Sequence, residues 1–320
     1  MSRYDFTVVG TAASVSILKV NKMPSCGCST AVYDGSFSEF RNGGMGFNIV
    51  AGLTKLGMKV YPVLTYADER QKDFLHSFAR DNGLPEDGID DPPEGSRGTT
   101  VMIQDANKNH MTLITEYEHR LPDSTYFHAQ KMRDCFFCDS RFVILTAPFP
   151  QNTANAIDAI MRNRIPLVLS MRKDCNAFPH DLLWKAIRHA DIILANDAEA
   201  EYILAEFELK DVRELFSYGK LHSFVETRGK EGCRVYARDS AGKPFHHDIS
   251  AVVMRKPIAD TVGAGDGFVC GFMYAISKGM DLDEAALMGG TVSSFVLEKE
   301  GSIEGLPDER MMLERFSAQR

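Results

Sequence analysis

No stretch of this 320-residue chain approaches the ~20 consecutive apolar residues that a membrane-spanning helix needs. Nothing at the start resembles a secretion signal either: there is no basic opening, no long apolar run and no small-residue cleavage site before Phe6–Gly10, so the chain reads as cytoplasmic. Positive charge is in short supply. Lys and Arg number 36 against 44 Asp and Glu, a formal net charge of −8 that argues against non-specific partnership with nucleic acid or an anionic membrane, while leaving room for a local basic pocket. Pro/Ser-rich linkers, internal repeats and low-complexity runs are missing, so residues 1–320 read as one domain. Cysteine is odd in number, and seven in a chain without an export signal are expected as reduced thiols.

Cys26 and Cys28, with Cys135 and Cys138, would supply four thiolates to a zinc ion, but C-x-C is poor zinc spacing. Cys135 precedes two phenylalanines and Cys138 precedes the strand-like "RFVIL", which suits core thiols instead. His246 and His247, adjacent on a strand, would point to opposite faces as surface residues.

What is present is an ordinary globular composition, 44% hydrophobic and 25% charged. Residues 5–10, 60–64, 142–146, 166–170, 191–196 and 223–227 are short β-rich runs, apolar on both faces as buried strands are. Between them, residues 46–57, 70–82, 152–163, 181–189, 198–206 and 211–218 carry apolar positions at helical spacing. This alternation predicts an α/β fold with a mostly parallel sheet covered by helices on both faces and ligands at the strands' carboxyl ends. Residues 29–41 and 97–117 break the pattern with two-residue periodicity, and "DANKN" marks a turn in the second. They predict a small β platform, spanning about 16–41 and 97–118, placed to cover a site.

In "IADTVGAGDGF" the small residues Gly263, Ala264 and Gly265 precede Asp266 in the first turn of a helix that runs to Gly279. A helix start offers unpaired amides and partial positive charge, and small residues let a phosphoryl group approach the backbone. A carboxylate beside such an anion hole can take a proton from an alcohol while the hole stabilises the transferring group; the dipole is expected to keep Asp266 ionised near neutral pH. The alternative is that Asp266 only caps its helix.

"DTVGAGDGF" at 260–268 closely resembles the C-terminal signature of the ribokinase-like (PfkB-type) sugar kinases, and "GGMGFNIVAGLTKLG" at 43–57 resembles their N-terminal one. Between them, "ANDAEAEYI" at 195–203 is similar to the family's Asn-x-x-Glu element and "VETRGKEGC" at 225–233 to its nucleotide-side loop. A Walker-type G-x-x-x-x-G-K-[ST] is absent, and the four motifs in order span nearly the whole chain.

The resemblance implies a ribokinase-like three-layer fold with a β lid, and transfer of the γ-phosphoryl group of ATP, with Mg²⁺, to an alcohol on a sugar, sugar phosphate or nucleoside. It makes Asp266 the catalytic base and the amides of Gly263, Ala264, Gly265 and Asp266 the anion hole. Asn196 and Glu199 would act through Mg²⁺ and its waters, against the alternative of a plain solvent-facing helix start. Thr227 and Gly229 would line the nucleotide phosphates, with Gly232 closing their loop; Arg228 and Lys230 are either added charge there or ordinary solvated cations. Gly43 and Gly44 would let the acceptor approach backbone, and Asn48 would bond its hydroxyls. A monovalent cation near Asp260 and a homodimer through the lid are further expectations.

The sequence departs from the family in one respect. Many relatives carry an acid five positions after the glycine ending the first strand; here that position is Val15, with Ser14, Ser16 or Asp34 as substitutes. A nucleoside base would need apolar surface, for which Phe37, Phe40, Phe47, Met102 and Met111 are available. The expectation is thus an ATP-dependent sugar kinase, with a nucleoside kinase or a non-catalytic nucleotide-binding regulatory relative as alternatives.

Overall fold

The computed structural model describes residues 2–114, 130–146, 150–173 and 177–319. In chain order the elements are β1 Tyr4–Thr11, β2 Ala13–Val20, β3 Val32–Asp34, β4 Arg41–Gly43, α1 Met45–Lys55, β5 Val60–Thr65, α2 Lys72–Asp81, β6 Ile89–Asp90, β7 Thr100–Gln104 and β8 His110–Ile114. They continue as β9 Ser140–Leu145, α3 Pro150–Asn163, β10 Leu167–Ser170, α4 His180–His189, β11 Ile192–Asn196, α5 Asp197–Glu206, β12 Ser223–Thr227, β13 Cys233–Arg238, β14 Pro244–Ile249, α6 Ala264–Ser277, α7 Leu282–Leu297 and α8 Glu309–Ser317.

Strands that are apolar on both faces must be covered on both faces, and they are. Val8 and Val9, successive on β1, enter separate cores: Val8 joins Ile49, Leu75, Phe272 and Met288 from α1, α2, α6 and α7, whereas Val9 joins Ile157, Leu183 and Ile203 from α3, α4 and α5. Among the described residues the large sheet has nine strands in the order β14-β13-β12-β11-β10-β9-β1-β5-β6, parallel from β12 through β6 and antiparallel at β13 and β14. All six expected buried strands belong to it. The expected helix at 211–218 is instead a 3₁₀ turn, Val212–Ser217, although its buried Val212, Leu215 and Phe216 keep helical spacings of three and four.

A second sheet, β3-β2-β7-β8 with β4 pairing β2, lies where the β platform is expected. It includes all of β2, so it begins at Ala13 instead of 16; residues 115–118 lie outside the described residues. One close approach fixes how α1 meets the main sheet. A Cβ on Gly46 would lie 2.8 Å from the Cα of Gly10, so only two glycines let the start of α1 rest on the end of β1.

Cys135 and Cys138 are exposed, not core thiols, as are Cys26 and Cys28. The short 3₁₀ turn Asp134–Phe136 sends the rings of Phe136 and Phe137 inward and leaves the flanking cysteines outside. His246 and His247 stand opposite Tyr236 and Val235 on successive positions of β14, so the pleat turns them to opposite faces. No helix among the described residues is long and apolar enough to cross a membrane.

Candidate active site

The loops after β1, β10, β11 and β12, the start of α6 and one face of the small sheet enclose a cleft of about 1520 Å³. This is the carboxyl end of the parallel strands, where open α/β sheets bind ligands.

At the cleft floor two helix starts meet. Gly263 opens α6 in a left-handed conformation, φ 78°, and a Cβ there would strike the Ser302 backbone at 2.7 Å. No side chain caps this helix, so Asp266 is not its cap. Asp266 Oδ2 accepts a hydrogen bond from Asn48 Nδ2 at 2.7 Å, and Asn48 Oδ1 accepts one from Ser302 Oγ at 3.0 Å. The two glycine-rich motifs are therefore joined through their polar residues.

Asp266 is half-buried on the cleft wall. Burial pushes its carboxyl up to about 7, against the Asn48 hydrogen bond and the charge of Arg172, which lower it. Asp266 therefore titrates close to neutral pH, where the sequence reading expects it ionised. A group poised near 7 is suited to general acid and base work.

The first amides of a helix lack intrahelical acceptors. Here the Ala264 amide turns back to the Thr261 carbonyl at 3.3 Å, which leaves Gly263, Gly265 and Asp266 as the cleft-lining amides at the expected anion hole. Gly265 is exposed on the cleft, and a Cβ on it would meet nothing within 4 Å.

Across the cleft, Asn196 ends β11 and caps α5. Its Oδ1 accepts from the Glu199 amide and Glu199 Oε2 accepts from the Asn196 amide, each at 2.8 Å, a reciprocal capping box. Both residues line the cleft. Burial pushes Glu199 up to about 7; the Asn196 and Lys173 amides lower it, the charge of Asp266 adds to the rise and Arg172 opposes it. Thr227 and Gly229 line the same side. Gly232, φ 93°, closes their loop without reaching the cleft surface, its carbonyl accepting from the Arg228 amide at 2.8 Å. Arg228 itself is paired with Glu231 at 2.9 Å.

On the acceptor side Gly43, Gly44 and Asn48 line the cleft. Gly44 adopts φ 97°, where a Cβ would collide with the Thr11 carbonyl and Ala13 amide at 2.7 Å. The pleat of the small sheet turns Val15, Ile17, Thr100, Met102 and Thr112 toward the cleft. Ser14, expected at the acceptor, falls on the opposite face: it is 4% exposed and bonds Asp68. Ser16 is turned the same way, donating to the Glu39 carbonyl at 3.1 Å, and Asp34 pairs with Lys19 at 3.0 Å. Of the candidate base-binding residues only Met102 lines the cleft; Phe47 is core, Phe40 lies under Arg70, and Phe37 and Met111 are exposed elsewhere.

Several site residues escape the sequence motifs. Arg172 and Lys173 follow β10 after Met171 and line the cleft. A basic pair at the carboxyl end of a buried strand is the signal that could have found them. Ser302, which holds Asn48, and Gln104, whose Nε2 donates to Asp260 Oδ1 at 2.8 Å, stand in segments whose part in the site is set by tertiary placement alone. Asp260 also accepts from the amides of Thr261 (2.7 Å), Val262 (3.2 Å) and Gly301 (3.1 Å).

Comparison with known proteins gives the family and the fold. The family model described as pfkB family carbohydrate kinase matches residues 25–309. A nucleoside kinase of Methanothermobacter thermautotrophicus is 23% identical over 317 residues, covering 98% of this chain and 96% of that protein. Among solved structures, Burkholderia thailandensis nucleoside kinase in complex with inosine superposes with TM-score 0.82 at 20% identity, over 98% of both chains. Arabidopsis thaliana ribokinase complexed with ribose and ATP gives TM-score 0.72 at 18% identity, over 99% of both chains.

Proposed function

Because the chain belongs to the pfkB family of carbohydrate kinases, phosphotransferases whose acceptor is an alcohol group, we propose that this cleft transfers the γ-phosphoryl group of ATP to a sugar or sugar derivative, with Asp266 as general base. The observation that carries this is the 2.7 Å bond between Asn48 and Asp266, which sets a carboxylate poised near 7 between an acceptor pocket and an amide-lined helix start. The acceptor hydroxyl lies against Asp266 and gives it its proton. The hydroxyl oxygen then bonds the γ-phosphorus as the bond to the ADP oxygen breaks, and the Gly263, Gly265 and Asp266 amides take the charge that develops on the phosphoryl oxygens. The lid floor excludes water, the competing acceptor.

ATP is supported by the nucleotide in the structural relative and by the cations Arg172 and Lys173, which line the same cleft as Thr227 and Gly229. A divalent cation fits the residues present: Glu199 and Asp266 are two carboxylates in one cleft, and hard oxygen donors suit Mg²⁺. Glu199 and Asn196 would hold it through its waters, and when bound it neutralises charge on the nucleotide phosphates. A monovalent cation near Asp260 would be held through Oδ2. Oδ1 already takes three N–H donors, from Gln104, Thr261 and Val262, whereas Oδ2 accepts only from the Gly301 amide.

A nucleoside acceptor is the second reading. It is favoured by the apolar lid floor of Val15, Ile17 and Met102, where many sugar-binding relatives carry an acid. Two copies are proposed to pair through the lid, which leaves Val32, Tyr33, Phe37, Met111 and Leu113 exposed. Mg²⁺-dependent ADP release screened over sugars, sugar phosphates and nucleosides tests the assignment; ATP binding without turnover on any of them would favour a regulatory protein instead.

A further inference from the structure

The lid is tied to the loop that leads into α6 by two bonds that the chemistry above leaves unused. Gln104, at the end of β7 and 3% exposed, donates its Nε2 to Asp260 Oδ1 at 2.8 Å. Four residues on, the Lys108 carbonyl accepts from Thr261 Oγ1 at 3.1 Å. That carbonyl is held in place by a built turn: Asp105 Oδ1 accepts from the amides of Asn107 and Asn109, and the Lys108 amide donates to the Asp105 carbonyl at 3.0 Å.

Asp260 is the node of this arrangement. It is 4% exposed, and its other three donors are the amides of Thr261, Val262 and Gly301. Thr261 and Val262 run directly into Gly263 and the amides of α6. Gly301 precedes Ser302, which holds Asn48, which holds Asp266. Burial alone would raise the Asp260 carboxyl, but the Gln104 bond and the three amides outweigh it and hold it below its ordinary value, so an ionised Asp260 gathers these strands of chain. Two further lid contacts to this region, Lys19 to Glu300 at 3.2 Å and Arg41 to Glu300 at 3.8 Å, are solvent-exposed pairs of small worth.

We propose that Gln104 is a positioning residue of the kinase: through Asp260 it couples the seating of the lid to the geometry of the Gly265 amide and the Asp266 carboxylate. The idea rests on the phosphoryl-transfer reading for its consequence, but the coupling itself is a property of the fold. A lid seated over an acceptor thereby completes the anion hole, and an empty lid that swings away loosens it.

The test is hydrogen–deuterium exchange on the full-length wild type and Gln104→Leu, which keeps the bulk and removes the donor. The coupling predicts amide exchange faster by about 10- to 100-fold at 260–266 and 300–302 as well as at 100–114, on the scale of one lost bond to a charged group. On the acceptor that wild type turns over, kcat falls by about the same factor while the KM for ATP moves less than about threefold. Loosening confined to 100–114, with 260–266 unchanged, overturns the proposal. If Gln104→Leu does not fold, Thr261→Val cuts the other tie and is read by the same exchange. The exchange arm needs no acceptor, so failure of the kinase assignment and failure of the coupling give different results.

Discussion

Asn48 and Asp266, 218 residues apart in sequence, share a 2.7 Å hydrogen bond that joins the start of α1 to the start of α6. Asn48 is itself held by Ser302, so Asp266 is aimed by a chain of side chains and not by its own rotamer preference alone. Asn48→Ala should lower kcat about 10- to 100-fold, the loss of one hydrogen bond to a charged group. Because that bond lowers the Asp266 pKa, its removal also moves the rising limb of the pH–rate profile to higher pH. A profile measured on both proteins checks the direction.

Asp266 and Glu199 are both pushed to about 7 and the charge of one raises the other, so kcat/KM should climb with pH through a limb near 7 that belongs to the pair. Glu199→Gln should raise the Mg²⁺ concentration needed for half-maximal rate. Mg²⁺ titration reads this effect, and a metal requirement identical to wild type contradicts the role given to Glu199.

Removing the charge of Arg172 has an opposite sign to check. Its field lowers both carboxyls, so Arg172→Met should displace the same limb to higher pH and weaken ATP binding about 10-fold or more. Isothermal titration with a non-hydrolysable ATP analogue measures the second effect.

Two neighbouring glycines separate folding from function. Gly263→Ala places a Cβ 2.7 Å from the Ser302 carbonyl at φ 78° and should cost about 1–3 kcal/mol of stability. Gly265→Ala meets open space and favours helix, so its melting temperature should hold or rise slightly while kcat falls, since the methyl projects where the phosphoryl group would sit. Full activity in Gly265→Ala would remove the anion hole from the account.

The order of strands and helices was legible because a buried parallel strand is apolar on both faces: Val8 and Val9 serve opposite cores, as do Ile144 and Leu145. The glycine motifs were legible because Gly44 and Gly263 sit where a Cβ collides with backbone. Ser14 was misplaced because β2 follows β1 after a single residue, and its pleat, which turns Val15 to the cleft and Ser14 away, is visible only once its pairing with β4 and β7 is known. Arg172, Ser302 and Gln104 belong to no local pattern; their part in the site depends on which loops meet at the strand ends. The exposed Cys135 shows the same limit in miniature, since a one-turn 3₁₀ segment decides which neighbour faces inward.

The kcat of Asp266→Asn, on the acceptor found by the ADP-release screen, tests the central claim most directly. The substitution keeps an oxygen to accept from Asn48 and nearly the same volume, and removes the proton acceptor. The account predicts a fall of about 10²- to 10⁴-fold with ATP affinity little changed. It also predicts a higher melting temperature at pH 8: a half-buried carboxyl whose pKa is raised in the fold costs stability as pH climbs from about 4 to 7, and Asn carries no such cost. A folded Asp266→Asn protein with wild-type kcat would contradict the account.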